Sequence, residues 1–303
     1  MKKVFYSLCM LLMLAATITS CSAPKQEMAT TQSFEYIDTL DRVLITINVE
    51  MPQGSDPASA TMRENIHDEL YNKVRAAILR GDEGGVKRYE GDLSDCQALI
   101  DFYGNELKEE LTAIRTEDMT EFCDSDEECK HSDSASSDYD EEEEDTFPMY
   151  SCDIDIAQQH DSILGDSVKY VIYTCESYVY YGGPHGGYDV TYLTLDKSNG
   201  FLMDFLPQSA EAALQPLIKK GLVEYFNGND AGVTEANLKD CLLIDSDTIP
   251  LPVTTPCPTP DGLFFVYAQY EIAPYAAGTP SFTIPYKDIL PYLNEDAKAL
   301  LGL

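Results

Sequence analysis

Tryptophan is absent from these 303 residues, and basic side chains are scarce: 20 Lys and Arg stand against 53 Asp and Glu, a formal charge of −33. Twenty Tyr and eleven Phe supply the aromatic bulk instead. The shortage of cations excludes nucleic acid as a partner, because phosphate contacts require clustered Lys and Arg. It fits a cationic partner, divalent ions, or plain solubility. Only four histidines occur, which leaves little for a conventional zinc site. Gly-x-Ser-x-Gly, His-Glu-x-x-His and P-loop motifs are all missing. Neither a metal nor a cofactor is expected, and catalysis is not. The apolar stretch from Leu8 to Ala16 falls short of the about 20 residues that a spanning helix needs.

That stretch reads as processing signal rather than fold. Lys2 and Lys3 form a basic start, and Ile18-Thr19-Ser20-Cys21 resembles the bacterial lipobox, whose cysteine takes the lipid. Residues 1–20 are therefore expected to be a lipoprotein signal peptide, with lipidation at Cys21 and residues 21–33 as a polar tether. The mature chain would be anchored to a membrane rather than cross it. The expected location is the cell envelope, at the outer membrane, on its periplasmic or surface face.

Export places the remaining seven cysteines in an oxidising compartment, where disulfides form readily. A hairpin turning at Ile163-Leu164 would oppose residues whose numbers sum to 327, as those of Cys152 and Cys175 do. Cys123 with Cys129, and Cys241 with Cys257, are further candidate pairs on proximity in sequence alone. Cys96 lies on the apolar stripe of a helix and is expected to be the unpaired thiol, acting as a small hydrophobe.

From Phe34 the pattern becomes that of a folded domain. Val43, Ile45, Ile47 and Val49 alternate with Leu44, Thr46, Asn48 and Glu50, which predicts a strand with one buried face. Met62, Ile66, Leu70, Val74 and Ile78 predict a helix from Pro57 to Arg80. His67 beside that stripe reads as a surface histidine. A second helix is predicted from Leu93 to Ile114, interrupted by Gly104. Residues 34–116 thus form an N-terminal α/β portion. Residues 117–145 hold fifteen Asp or Glu and one Lys, so 117–147 reads as a disordered acidic insertion. Asp124-Ser125-Asp126 begins like an EF-hand loop, but Cys129 replaces the glycine and Ala135 the final carboxylate, so calcium is not expected. Zinc through Cys123, Cys129 and His131 lacks a fourth ligand.

Strands dominate the C-terminal half of the chain. Tyr150 to Ile156 is expected to pair with Lys169 to Ser177, and Tyr188 to Leu195 to be followed by a turn at Asn199-Gly200 and a returning strand at Phe201 to Phe205. A helix is predicted over 209–226, starting late because of Pro216, and a short one from Glu295 to Leu301. Long one-sided helices with antiparallel strands make the fold class α+β: sheet with two N-terminal helices and a further helix packed on it.

Between two strand-like runs lies Tyr178-Val179-Tyr180-Tyr181-Gly182-Gly183-Pro184-His185-Gly186-Gly187-Tyr188. Four glycines in six residues predict a sharp reversal, since Gly adopts positive φ without steric cost. As a plain hairpin turn the stretch is structural, and Gly183→Val should then destabilise. As a ligand-facing loop it presents one imidazole, His185.

The order of several blocks carries a family resemblance. Tyr178-x-Tyr180-x-Gly182-Gly183-x-His185-Gly186, Thr194-Leu195-Asp196-x-x-x-Gly200 and Asp204-Phe205-Leu206 come first. Gly262-Leu263-x-Phe265-x-Tyr267, Tyr270-Glu271-Ile272-Ala273-Pro274-Tyr275-Ala276-x-Gly278 and Ile284-Pro285-Tyr286 come after them. Together they resemble the extracytoplasmic domain of RsiV-like anti-sigma factors, which sense lysozyme; a similar module accompanies the catalytic domain of PdaC-type peptidoglycan deacetylases. The resemblance implies an RsiV-like domain over 148–303. Pro184 stands where that family has Ala, and the acidic segment is unexplained by it. No sigma-binding segment and no deacetylase domain are recognisable, so neither activity carries over.

What the resemblance implies is a non-enzymatic binding module, with a basic protein of lysozyme type or peptidoglycan as partner. Tyr180, Tyr181, Gly182, Gly183, His185, Tyr270 and Glu271 are its candidate ligand-binding residues. Two other readings compete: a structural envelope lipoprotein, in which these residues serve packing and turns, and a peptidoglycan-acting hydrolase using His185 with Glu271.

Overall fold

In a computed structural model, residues 30–78, 85–125, 149–159, 168–228 and 232–303 are described. The chain opens with a hairpin, β1 (Thr31–Leu40) and β2 (Val43–Pro52), joined through Asp41 and Arg42. Both turn residues take positive φ, 45° and 62°, the two-residue geometry whose twist matches its strands. β1 takes up residues 31–33 of the expected tether. β2 then pairs in parallel with β3 (Tyr150–Gln158). A parallel pair requires a crossover, supplied by α1 (Pro57–Ile78) and α2 (Cys96–Ser125). β4 (Tyr170–Tyr181) and β5 (Gly187–Asp196) continue antiparallel, and the sheet order is β1-β2-β3-β4-β5.

Both helices cover one face of this sheet. Val43, Ile45, Ile47 and Val49 of β2 are at most 1% exposed and meet Ile66, Leu70 and Val74 of α1 and Leu99, Ile100, Tyr103, Leu107 and Leu111 of α2. Each such side chain contributes about 1.5–3 kcal/mol by leaving water. Pro57 opens α1, and Asp56 caps it by accepting from the Ser59 amide at 3.0 Å and hydroxyl at 2.6 Å. Gly104 has a packing reason: a Cβ there would stand 2.4 Å from the ring of Tyr36. His67 is buried rather than on the surface, with Nε2 2.8 Å from the Tyr103 hydroxyl. α2 packs beside α1 on the same face of the sheet, so the flank of the α1 stripe is covered as well. Burial, aided by the Arg88 charge, holds the His67 pKa below the usual histidine range.

The second helix outruns its expected end. Residues 117–125 are helical, so the disordered reading fails for them. Asp118 accepts from the Tyr150 hydroxyl, which docks this acidic turn on β3. The rest of the acidic insertion, with Cys129 and the metal motifs that run through it, lies outside the described residues, as does the side chain of Cys123. So do Cys21, the signal peptide and all but the last four residues of the tether.

The expected pairing of Cys152 with Cys175 is overturned. The β3–β4 ladder sets Cys152 opposite Val179 and Cys175 opposite Ile156. The two thiols thus stand four positions apart, about 13 Å along the strand, beyond disulfide reach. A shift of four residues leaves every side chain on its own face, so alternation alone could not separate the two registers. Cys241 and Cys257 are likewise free, as is buried Cys96, whose unpaired state was expected.

Residues 202–303 build a second core. α3 (Ala210–Asn227) lays Leu214, Ile218 and Leu222 against the sheet of β6 (Cys257–Thr259), β7 (Gly262–Val266) and β8 (Ser281–Pro285). α3 starts at 210 with Pro216 inside it. The strand expected at 201–205 is reduced to one bridge, Leu195 to Leu202. A short helix, α4 (Tyr286–Ile289), and α5 (Glu295–Leu301) close the chain, with Asn294 capping α5 through the Ala297 amide. The fold class is α+β, as expected. The boundary at 148 does not divide the cores, because β1–β2 and β3–β5 share one sheet and one core. The change of core comes after β5.

Candidate functional site

The glycine-rich stretch is the loop between β4 and β5, residues 182–186. Gly182 turns it with φ of 73°. The loop overhangs a cleft of about 330 Å³ on the helix-bearing face of the sheet. Ala76 and Ala77 of α1 form one wall, Val179 and Tyr181 of β4 the back, and Tyr188 and Asp189 of β5 the floor. The lip comes from far along the chain: Gln269 and Tyr270 close over it from the second core.

Three rings stand in a row along that lip. His185 stacks on Tyr275 with centroids 3.8 Å apart and planes 17° from parallel, and Tyr275 lies 5.9 Å from Tyr270. Tyr270 is 56% exposed and has φ of 66°, a genuine outlier for a bulky residue. Gln269 fixes the lip to the sheet by accepting from the Tyr188 amide at 3.0 Å. Tyr188 donates its hydroxyl to Glu176 at 2.7 Å, and burial, then that carboxylate, raises its pKa far above the usual phenol range.

Beneath the floor sits a buried cation. The Lys73 side chain is 2% exposed and donates to Asp189, with Glu69 3.7 Å away. Glu69 in turn accepts from the Thr191 hydroxyl. α1 is thereby fastened to β5 by charge as well as by packing.

The sequence-derived candidates divide. His185, Tyr181 and Tyr270 line the cleft together. Tyr180 does not, because neighbouring residues of a strand face opposite ways, and in the ladder it pairs with Ser151. Gly182 serves the turn. Gly183 is exposed, and a Cβ there would meet nothing within 4 Å, which removes the expected penalty for a side chain there. Glu271 is not part of the lining: it accepts from the Val253 amide at 2.8 Å and the Ala268 amide at 2.7 Å. Its pKa is raised, by burial first and by the Asp189 charge, against the lowering effect of those two amides. Sequence reasoning missed Asp189 and Lys73. Their signals were present: Lys73 follows Ile66 by seven residues on the α1 stripe, and Asp189 shares the parity of inward-facing Leu193 and Leu195.

Residues 204–287 match a family model described as "Protein of unknown function (DUF3298)". This region holds the Asp204, Gly262, Tyr270 and Ile284 blocks but not the glycine loop. No curated protein matches the chain. Among solved structures, a DUF3298 family member from Bacteroides fragilis NCTC 9343 is similar at 20% identity and a TM-score of 0.55, over 89% of this chain and 95% of that one. A DUF3298 family protein from Pseudomonas aeruginosa PAO1 is similar at 16% identity and a TM-score of 0.50, over 88% and 94%. At these identities the likeness is one of fold. Among the described residues, no helix is long and apolar enough to cross a membrane and no cluster of His, Cys, Asp and Glu is arranged to hold a metal ion.

Proposed function

We propose that this chain is a lipid-anchored, non-enzymatic binding module of the cell envelope, related to the RsiV-like domains, and that its ligand enters the cleft under the glycine loop. The observation carrying this reading is the convergence of His185 and Tyr270, from different cores, on one open concavity. Tyr270 holds its ring there from a backbone conformation that costs a non-glycine residue about 1 kcal/mol. Strain of this kind persists where the surroundings impose it, and functional sites are where it clusters. The partner classes are a basic envelope-active protein of lysozyme type and cell-wall glycan, the first supported by the chain's negative charge. Anchoring rests on Lys2, Lys3 and the Ile18 to Cys21 motif.

Calorimetry with lysozyme and with purified muropeptides at low salt tests the reading. Binding of either, weakened by His185→Ala while the melting temperature holds, supports it. Binding of neither, with variant and wild type melting alike, leaves a structural lipoprotein. Turnover of the muropeptides that disappears in His185→Ala would replace the binding module with a hydrolase. Radiolabelled palmitate should enter the wild-type chain and not Cys21→Ser.

A further inference from the structure

We infer that the group received by this cleft is an organic cation, a primary ammonium or a guanidinium carried on a larger molecule. The inference rests on the reading of the cleft as a ligand site and names the chemistry it takes. Three features of the walls carry it.

Aromatic surface comes first. Tyr270 and His185 edge the opening, joined through Tyr275, and the Tyr181 ring lines its interior. Tyrosine faces attract cations through the ring quadrupole, more strongly where water is thinned out. The second feature is the floor. Asp189 is 42% exposed there, while its partner Lys73 is sealed beneath at 2%. Lys73 is shared with Glu69, so one ammonium faces two carboxylates and a unit of negative charge is left over. An incoming cation meets Asp189 directly, whereas an incoming anion meets the same carboxylate with Lys73 screened behind it. Third, no Lys or Arg is among the described residues that line it. A volume of about 330 Å³ is at the low end for ligand sites, suited to a side-chain tip or one sugar ring.

The test follows the imidazole signals of His185 by NMR while two probe pairs are titrated. One pair is N-acetyl-arginine amide and N-acetyl-citrulline amide; the other is the glucosamine tetramer and its fully N-acetylated form. In at least one pair the charged member should shift His185 saturably and bind at least tenfold more tightly than its neutral counterpart. A preference within the arginine pair alone identifies a basic protein as the source, and one within the sugar pair alone a de-N-acetylated glycan. Asp189→Asn should erase the preference. Because that change also disturbs Lys73, Tyr270→Gly is measured beside it: it should weaken the charged probe about fivefold without lowering the melting temperature. Equal binding of charged and neutral members overturns the cation assignment and leaves the ligand site standing. Charged probes that bind without moving His185 overturn it too. Failure of all four probes to bind removes both the assignment and the ligand site.

Discussion

Gly182 and Gly183 are adjacent in sequence and opposite in what they require. Gly182 has φ of 73°, where a Cβ meets its own carbonyl at a cost of roughly 1–2 kcal/mol. Gly183 is exposed with open space around its α-carbon. Gly182→Ala should therefore lower the melting temperature by a few degrees. Gly183→Ala should leave the stability within about 0.5 kcal/mol of wild type. Thermal melts of the two variants check this, and equal losses would mean that the loop is not held as described. Residue identity alone showed two glycines; only the backbone shows which of them the turn needs. Glu271 makes the same point from the other side. As a carboxylate beside Tyr270 it looked like chemistry, yet its oxygens are occupied by the Val253 and Ala268 amides. Those bonds hold the segment that carries Tyr270.

Among the elements, α1 and β5 have the most informative contact. Lys73 is buried between them against Asp189 and Glu69. Removing one partner of a buried ion pair strands the other charge, so Lys73→Met should destabilise by about 3 kcal/mol in chemical denaturation. A loss below about 1 kcal/mol would show that packing alone fastens the helix. The sheet face away from the helices behaves differently. Asp155 and Glu176 stand directly opposite on β3 and β4, an arrangement of like charges that costs a few tenths of a kcal/mol on a solvated face. Burial, then Glu176 and Glu50, raises the Asp155 pKa. A carboxyl whose folded pKa exceeds its unfolded one gives its stabilisation below the unfolded value. That stabilisation is lost as pH rises through the folded value. Asp155→Asn has no such loss. It should melt like wild type near pH 3 and a degree or two higher at pH 7 in low salt, with the gap closing in high salt. A gap independent of pH would place its origin elsewhere. Elements of this kind were unequally legible in the sequence. The period-2 run from Val43 and the period-4 run from Met62 announce themselves because each buries a single face. β1 was missed because Phe34 and Tyr36 are only partly covered and their neighbours are polar. The parallel partnership of β2 with β3 joins residues more than a hundred positions apart, and no local pattern specifies it. The cleft was half visible, since His185 and Tyr270 stood out as an odd loop and an odd block. The α1 wall and the Asp189 floor came from segments that read as ordinary core.

Seen whole, the molecule carries its charge far from evenly. Of a formal −33, residues 117–145 supply fifteen acidic groups against one Lys, while among the described residues lining the cleft the carboxylate is that of Asp189, with Lys73 beneath it. In the proposed binding, these two features would act on different steps. A diffuse acidic segment raises the local concentration of a cationic partner and so speeds encounter, an effect that salt screens. Contacts in the cleft determine how long the partner stays. Replacing Asp140-Glu141-Glu142-Glu143-Glu144-Asp145 with Asn and Gln removes six negative charges without touching a cleft residue. Against a basic protein, surface plasmon resonance should show the association rate falling several-fold at low ionic strength and the dissociation rate unchanged. In about 0.5 M salt, where the screening length is only a few ångströms, variant and wild type should associate alike. Tyr270→Gly should do the reverse, raising the dissociation rate and leaving association nearly untouched. If neutralising the acidic run instead speeds dissociation, that run contacts the bound partner directly, and steering and grip are not separate in this molecule.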